Sequence, residues 1–100
     1  MFKKQYKKAV CADGFSVSIQ ASETNYCSPR NNSGPYIMVE LGYPSEKDPI
    51  ILPYAEDSGD PTGTVYGYVP SAIVLECLDS HGGWVSGEIP PMNIHSSDTL

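Results

Sequence analysis

Cationic side chains are scarce in this sequence. Arg30 is the only arginine, and Lys and Arg together number six against twelve Asp and Glu, for a net charge of −6. Without a basic stripe to meet phosphates, the chain is a poor candidate for direct nucleic-acid binding. Cysteine is scarce too. The count is three, an odd number with no C-x-x-C pair, which argues against a disulfide frame and a zinc knuckle and fits reduced thiols. No apolar run approaches a membrane span, and the basic start Met1-Phe2-Lys3-Lys4 lacks the apolar stretch of a signal peptide. The expectation is a cytoplasmic protein. P-loop, G-x-G-x-x-G and H-E-x-x-H motifs are missing as well. The apolar fraction, 40%, is low, and nine Gly with nine Pro imply much loop. One hundred residues suffice for one small core.

Against these absences stands one well-marked stretch, residues 60–83, DPTGTVYGYVPSAIVLECLDSHGG. Asp60-Pro61 and Gly63 are turn chemistry. Residues 64–69 are β-branched and aromatic, as strands are. Pro70 ends that strand, and Gly82-Gly83 provides a left-handed stop for a helix over 71–81. At 100° per residue Val74, Cys77, Leu78 and His81 share one stripe, flanked by Ile73 and Leu75. Ala72, Glu76, Asp79 and Ser80 take the wet side. So short a helix needs a sheet to lie on. Val65, Gly67 and Val69 are expected on its side, with Gly67 allowing close approach.

Earlier in the chain, residues 6–11 read as a strand, Ala12-Asp13-Gly14 as a tight turn, and residues 15–21 as a period-two strand. Residues 22–35 form a loop. Residues 36–41 give a further strand, with Ile37, Val39 and Leu41 on one face. Residues 42–63 make a long connection holding the apolar piece Ile50-Ile51-Leu52. Trp84-Val85 is expected against the sheet, and residues 86–100 as a flexible tail beyond a domain of 1–85. The fold class is α+β: three or four antiparallel strands with one helix on one face. The uncovered face would carry Ser16, Ser18, Gln20, Tyr36, Met38, Glu40, Thr64, Tyr66 and Tyr68. Either it is open for binding, or the long loop or the tail folds over it.

Cys77 and His81, four apart on the helix, are within reach of a shared metal, and Cys11 and Cys27 could complete four ligands. Set among aliphatics, however, Cys77 reads as a buried inert thiol. His81 is accounted for by the negative end of the helix dipole. A Cys–His nucleophile pair would need an exposed thiolate and an orienting group, and the sequence marks neither. Glu56-Asp57-Ser58-Gly59-Asp60 lacks the order of a calcium loop and reads as an acidic turn. The reading assigns no catalytic residue, no metal and no cofactor. Residues 43–88 carry one Lys and eight Asp or Glu. Such a segment suits a basic protein surface. The candidate partner-binding set is therefore Tyr36, Glu40, Glu46, Asp48, Glu56, Asp57, Asp60, Tyr66 and Tyr68.

Three segments, ADGFSVSIQAS (12–22), NYCSPR (25–30) and EDSGDPTGTVYGYVP (56–70), resemble a group of small bacterial and prophage proteins close to the acidic inhibitors called anti-CRISPR proteins. The resemblance implies a non-catalytic inhibitor that occludes the basic surface of a Cas effector subunit. It brings no site residue with it. The alternatives are a housekeeping interaction domain and a small Cys/His metal protein or enzyme.

Overall fold

A computed structural model of the chain describes residues 5–93. Lys3 and Lys4 of the basic start, and residues 94–100 of the expected tail, lie outside the described residues. Five strands form one antiparallel sheet: β1 (Ala9–Cys11), β2 (Ser16–Gln20), β3 (Met38–Gly42), β4 (Val65–Pro70) and β5 (Trp84–Ser86). Their order across the sheet is β4-β3-β2-β1-β5. The α+β class holds, with one strand more than expected. That strand, β5, has three residues, too few to show a period. The hairpin β1–β2 pairs Ala9 with Val17, and Ala12 to Gly14 make its turn.

The helix α1 (Ser71–Ser80) joins β4 to β5, which lie on opposite edges of the sheet. Ten helical residues measure about 15 Å. Four strand spacings measure about 19 Å. The helix therefore carries the chain across the sheet from edge to edge. Ser71, Val74, Cys77 and Leu78 are buried on its inner side, while Ala72, Glu76, Asp79 and Ser80 are exposed, in agreement with the stripe. Its C-terminus closes in a Schellman arrangement: Gly83 N–H donates to Leu78 O at 2.9 Å and Gly82 N–H to Asp79 O at 3.0 Å. Gly82 sits at φ 90°, and a Cβ there would fall 2.9 Å from Ala12 Cβ. The β1–β2 turn is thus pressed on the helix end. Asp13 and Ala12 N–H groups donate to the carbonyls of His81 and Gly83.

The strand faces need a correction at β4. Val39 pairs with Val69 but Leu41 with Tyr66, so two steps on β3 oppose three on β4. Gly67 and Tyr68 share the place opposite Glu40 as a β-bulge. Tyr68 takes φ 52° there. The extra residue resets the alternation, and Tyr66 and Val69 both point into the core. Tyr66, expected on the open face, is 0% exposed, and its hydroxyl donates to Pro61 O at 2.7 Å. Gly67 faces Tyr26, whose Cβ would lie 3.5 Å from a Cβ at that position. A glycine within a strand pattern signals a bulge as readily as a close helix, and here it marks the bulge.

Tyr36 is corrected likewise. It is 0% exposed because β3 starts two residues later, at Met38, so the alternation does not reach back to it. Its hydroxyl donates to Asn31 O, its N–H to Pro91 O, and its carbonyl accepts from Ser71 Oγ and Asn93 N–H. These bonds also correct the domain boundary at residue 85. Pro90 is buried, and Tyr36 and Met92 form a parallel bridge, so the chain is docked through residue 93. The long connection lies against the core through Ile51, with Ile50, Tyr54 and Ala55 packed beside it. On the other side of the sheet Ser16, Ser18, Met38 and Glu40 are half-buried. Trp84 and Val85, expected to pack on the sheet, lie exposed in edge strand β5.

Candidate functional site

Two groupings of side chains stand out. The first surrounds His81, the C-cap of α1. Its Nδ1 lies 2.7 Å from Asp13 Oδ2, and its Nε2 lies 2.6 Å from Asp48 Oδ2. Phe15 stacks on the ring at 3.9 Å between centroids and 4° between planes. Both nitrogens donate when the imidazole carries two protons. Asp13 Oδ1 also accepts from Phe15 N–H, while Asp48 Oδ1 accepts from Ile50 and Ile51 N–H. The Cys77 sulfur lies within 4.8 Å of the same carboxylate. The β1–β2 turn, the 43–63 connection and the helix end are clasped at one point. Among the described residues, Asp48, Cys77 and His81 bring donor atoms within 4.8 Å of one another and could hold a metal.

The electrostatics follow from this geometry. Burial works to lower the His81 pKa, but hydrogen bonds to Asp13 and Asp48, reinforced by their charges, outweigh it and raise it. Asp13 is held below the ordinary carboxylate value by the Phe15 N–H and then by His81. Burial first, then Asp48, pushes the Cys77 thiol up to about 12. A protonated, buried thiol is not an activated nucleophile.

A pH prediction follows for chelator-treated protein. A raised His81 pKa stabilises the fold fully below its unfolded value of about 6.5. That contribution is lost as pH rises through the higher folded value. A lowered Asp13 pKa acts in the opposite direction: its contribution is present above about 3.9 and lost as pH falls through the lower folded value. In urea unfolding across this range, His81→Gln should flatten the alkaline decline. Parallel profiles for variant and wild type would refute it.

The second grouping lies along β4. Tyr68 N–H donates to Tyr26 O at 3.1 Å, and Glu56 N–H donates to Val65 O at 3.0 Å. Tyr26 and the acidic turn therefore flank the same strand, about 10 Å apart at 3.3 Å per residue. Tyr26 and Tyr68 are 41% and 45% exposed, with ring centroids 5.8 Å apart. Arg30 lies 5.9 Å from the Tyr26 centroid. Glu40 Oε1 accepts from Tyr26 N–H at 2.9 Å, so this carboxylate positions the pair instead of facing a partner. Glu46, Glu56, Asp57 and Asp60 are exposed as expected.

Comparison with family models, curated proteins and solved structures returned no match.

Of the nine expected partner-binding residues, Tyr68, Glu56, Asp57 and Asp60 come together along β4. Tyr36 and Tyr66 belong to the core. Asp48 is 3% exposed and engaged by His81, Ile50 and Ile51, so it too leaves the surface set. Sequence reasoning missed Tyr26 as a surface residue and Asp13 and Asp48 as partners of His81. The available signal for Asp48 was its place before Pro49-Ile50-Ile51, where a side chain caps a turn that enters the core.

Proposed function

We propose that the chain is a non-catalytic binding protein, acting in the cytoplasm, that meets a basic protein surface along β4. The exposed Tyr26–Tyr68 pair carries the reading. A tyrosine at φ 52° costs on the order of 1–3 kcal/mol, and the fold holds Tyr68 there with its ring outward. Tyrosines of this kind bury much area with little entropy loss and are enriched in interface cores. The acidic turn beside them supplies attraction at a distance. In the reading that the anti-CRISPR resemblance implies, the partner is a Cas effector subunit, and Glu56, Asp57 and Asp60 occupy a groove made for phosphates. The alternative of a housekeeping interaction domain uses the same surface with a different partner.

A pull-down from host lysate supplies the partner, and surface plasmon resonance tests the roles. Tyr68→Ala should shorten the complex lifetime by about tenfold or more, as loss of an aromatic hot spot does. Reversal of Glu56, Asp57 and Asp60 to Lys should slow association, most at low salt. An association rate indifferent to both salt and the triple reversal would leave the turn no part in binding.

A further inference from the structure

The β4 surface makes no use of the His81 clasp, and the clasp has the makings of a site of its own. Asp48 offers a carboxylate oxygen, Cys77 a sulfur and His81 an imidazole nitrogen, all within 4.8 Å of one another. Zinc accepts this combination of donors. Cys77 and His81 are one helical turn apart, and Asp48 comes in from the 43–63 connection. A metal-bound histidine usually gives its other ring nitrogen to a carboxylate, which fixes the tautomer and the ring direction. His81 has that arrangement already, with Nδ1 on Asp13 Oδ2 at 2.7 Å and Phe15 stacked on its face. Asp48 is similarly steadied: Oδ1 is held by the Ile50 and Ile51 N–H groups, while Oδ2 is turned to the histidine.

We propose that Asp48, Cys77 and His81 bind one divalent ion of the zinc type, with Asp13 positioning His81 from behind and a water molecule completing the set. The proton between Nε2 and Oδ2 and the thiol proton of Cys77 leave to solvent, and the ion takes their place. A thiolate and a carboxylate then balance the two positive charges of the ion. Two ligands with bonds of about 2.0–2.2 Å to a tetrahedral ion stand about 3.4 Å apart. Nε2 and Oδ2, now 2.6 Å apart, separate by less than about 1 Å. The His81 side chain keeps 11% of its surface exposed, on the side of Asp13. The inference is independent of the binding surface along β4, and neither fails with the other.

The test uses the full chain, stripped with chelator and titrated with cobalt(II) and then zinc(II). Cobalt should produce a thiolate charge-transfer band and tetrahedral visible bands at one equivalent, and zinc should remove them. Cys77→Ala should abolish the thiolate band, while Cys11→Ser and Cys27→Ser keep it. Asp13→Asn should weaken binding about 10- to 100-fold, as loss of a supporting carboxylate does. Zinc should also raise the unfolding midpoint of the wild type but not that of His81→Gln. Folded wild type without a cobalt–thiolate band would overturn the site, whatever the variants do. A band that survives in Cys77→Ala would overturn it as well.

Discussion

Leu78→Asp is expected to unfold the domain or bring it to the edge of unfolding. Leu78 is 2% exposed, in the middle of the inner stripe of α1 and next to Cys77. The change removes about 1.5–3 kcal/mol of apolar burial. It also buries a carboxylate on a stripe whose one imidazole, His81, is already engaged by Asp13 and Asp48, and the sum reaches about 4 kcal/mol or more. Total stability of such domains is about 5–15 kcal/mol. Glu76→Lys, on the exposed side of the same helix, should stay within about 0.5 kcal/mol. Thermal unfolding followed by circular dichroism compares the two. Equal and mild effects would mean that α1 does not lie on the sheet by this stripe.

The second large effect is expected at Asp48. Asp48→Ala takes the acceptor from the His81 imidazole and from the Ile50 and Ile51 N–H groups at once. At a pH where His81 is protonated, removing one member of this buried pair costs about 3–5 kcal/mol. Asp13→Ala, on the exposed side of the same ring, should cost clearly less. Asp48→Asn should fall between them, since its amide oxygen still accepts from the isoleucines. Urea unfolding in chelator gives the ranking. If Asp48→Ala and Asp13→Ala are indistinguishable, Asp48 does not anchor the connection.

The helix and the hairpin were legible because their signals are local. Val74, Cys77, Leu78 and His81 repeat at the helical period, and Gly82-Gly83 is a stop in any context. Phe15, Val17 and Ile19 alternate without a break. The bulge at Gly67-Tyr68 was not legible as such, because one extra residue inverts a strand face while leaving the composition unchanged. Tyr66 and Tyr36 were misplaced for that kind of reason: period two was carried through a bulge in one case and past the end of a strand in the other. The clasp was hidden by distance along the chain. Asp13 and His81 are 68 residues apart, Asp48 and His81 33 apart, and no spacing rule links them. The acidic segment appeared uniform as charge, yet one of its carboxylates, Asp48, serves the interior while Glu56, Asp57 and Asp60 face out.

The path of α1 across the sheet has a consequence for how the molecule comes into being. Val10 pairs with Ser86, Asp13 meets His81, and Tyr36 is bridged to Met92. Each early segment is completed by one from the last quarter of the described chain. As the polypeptide leaves a ribosome, the first hairpin emerges with its later neighbour unmade and its apolar face uncovered. Loop closure on this scale precedes the contacts that reward it, and chains wired this way fold slowly. The newborn protein thus remains open to proteases and to other chains until residues beyond 80 have cleared the exit tunnel.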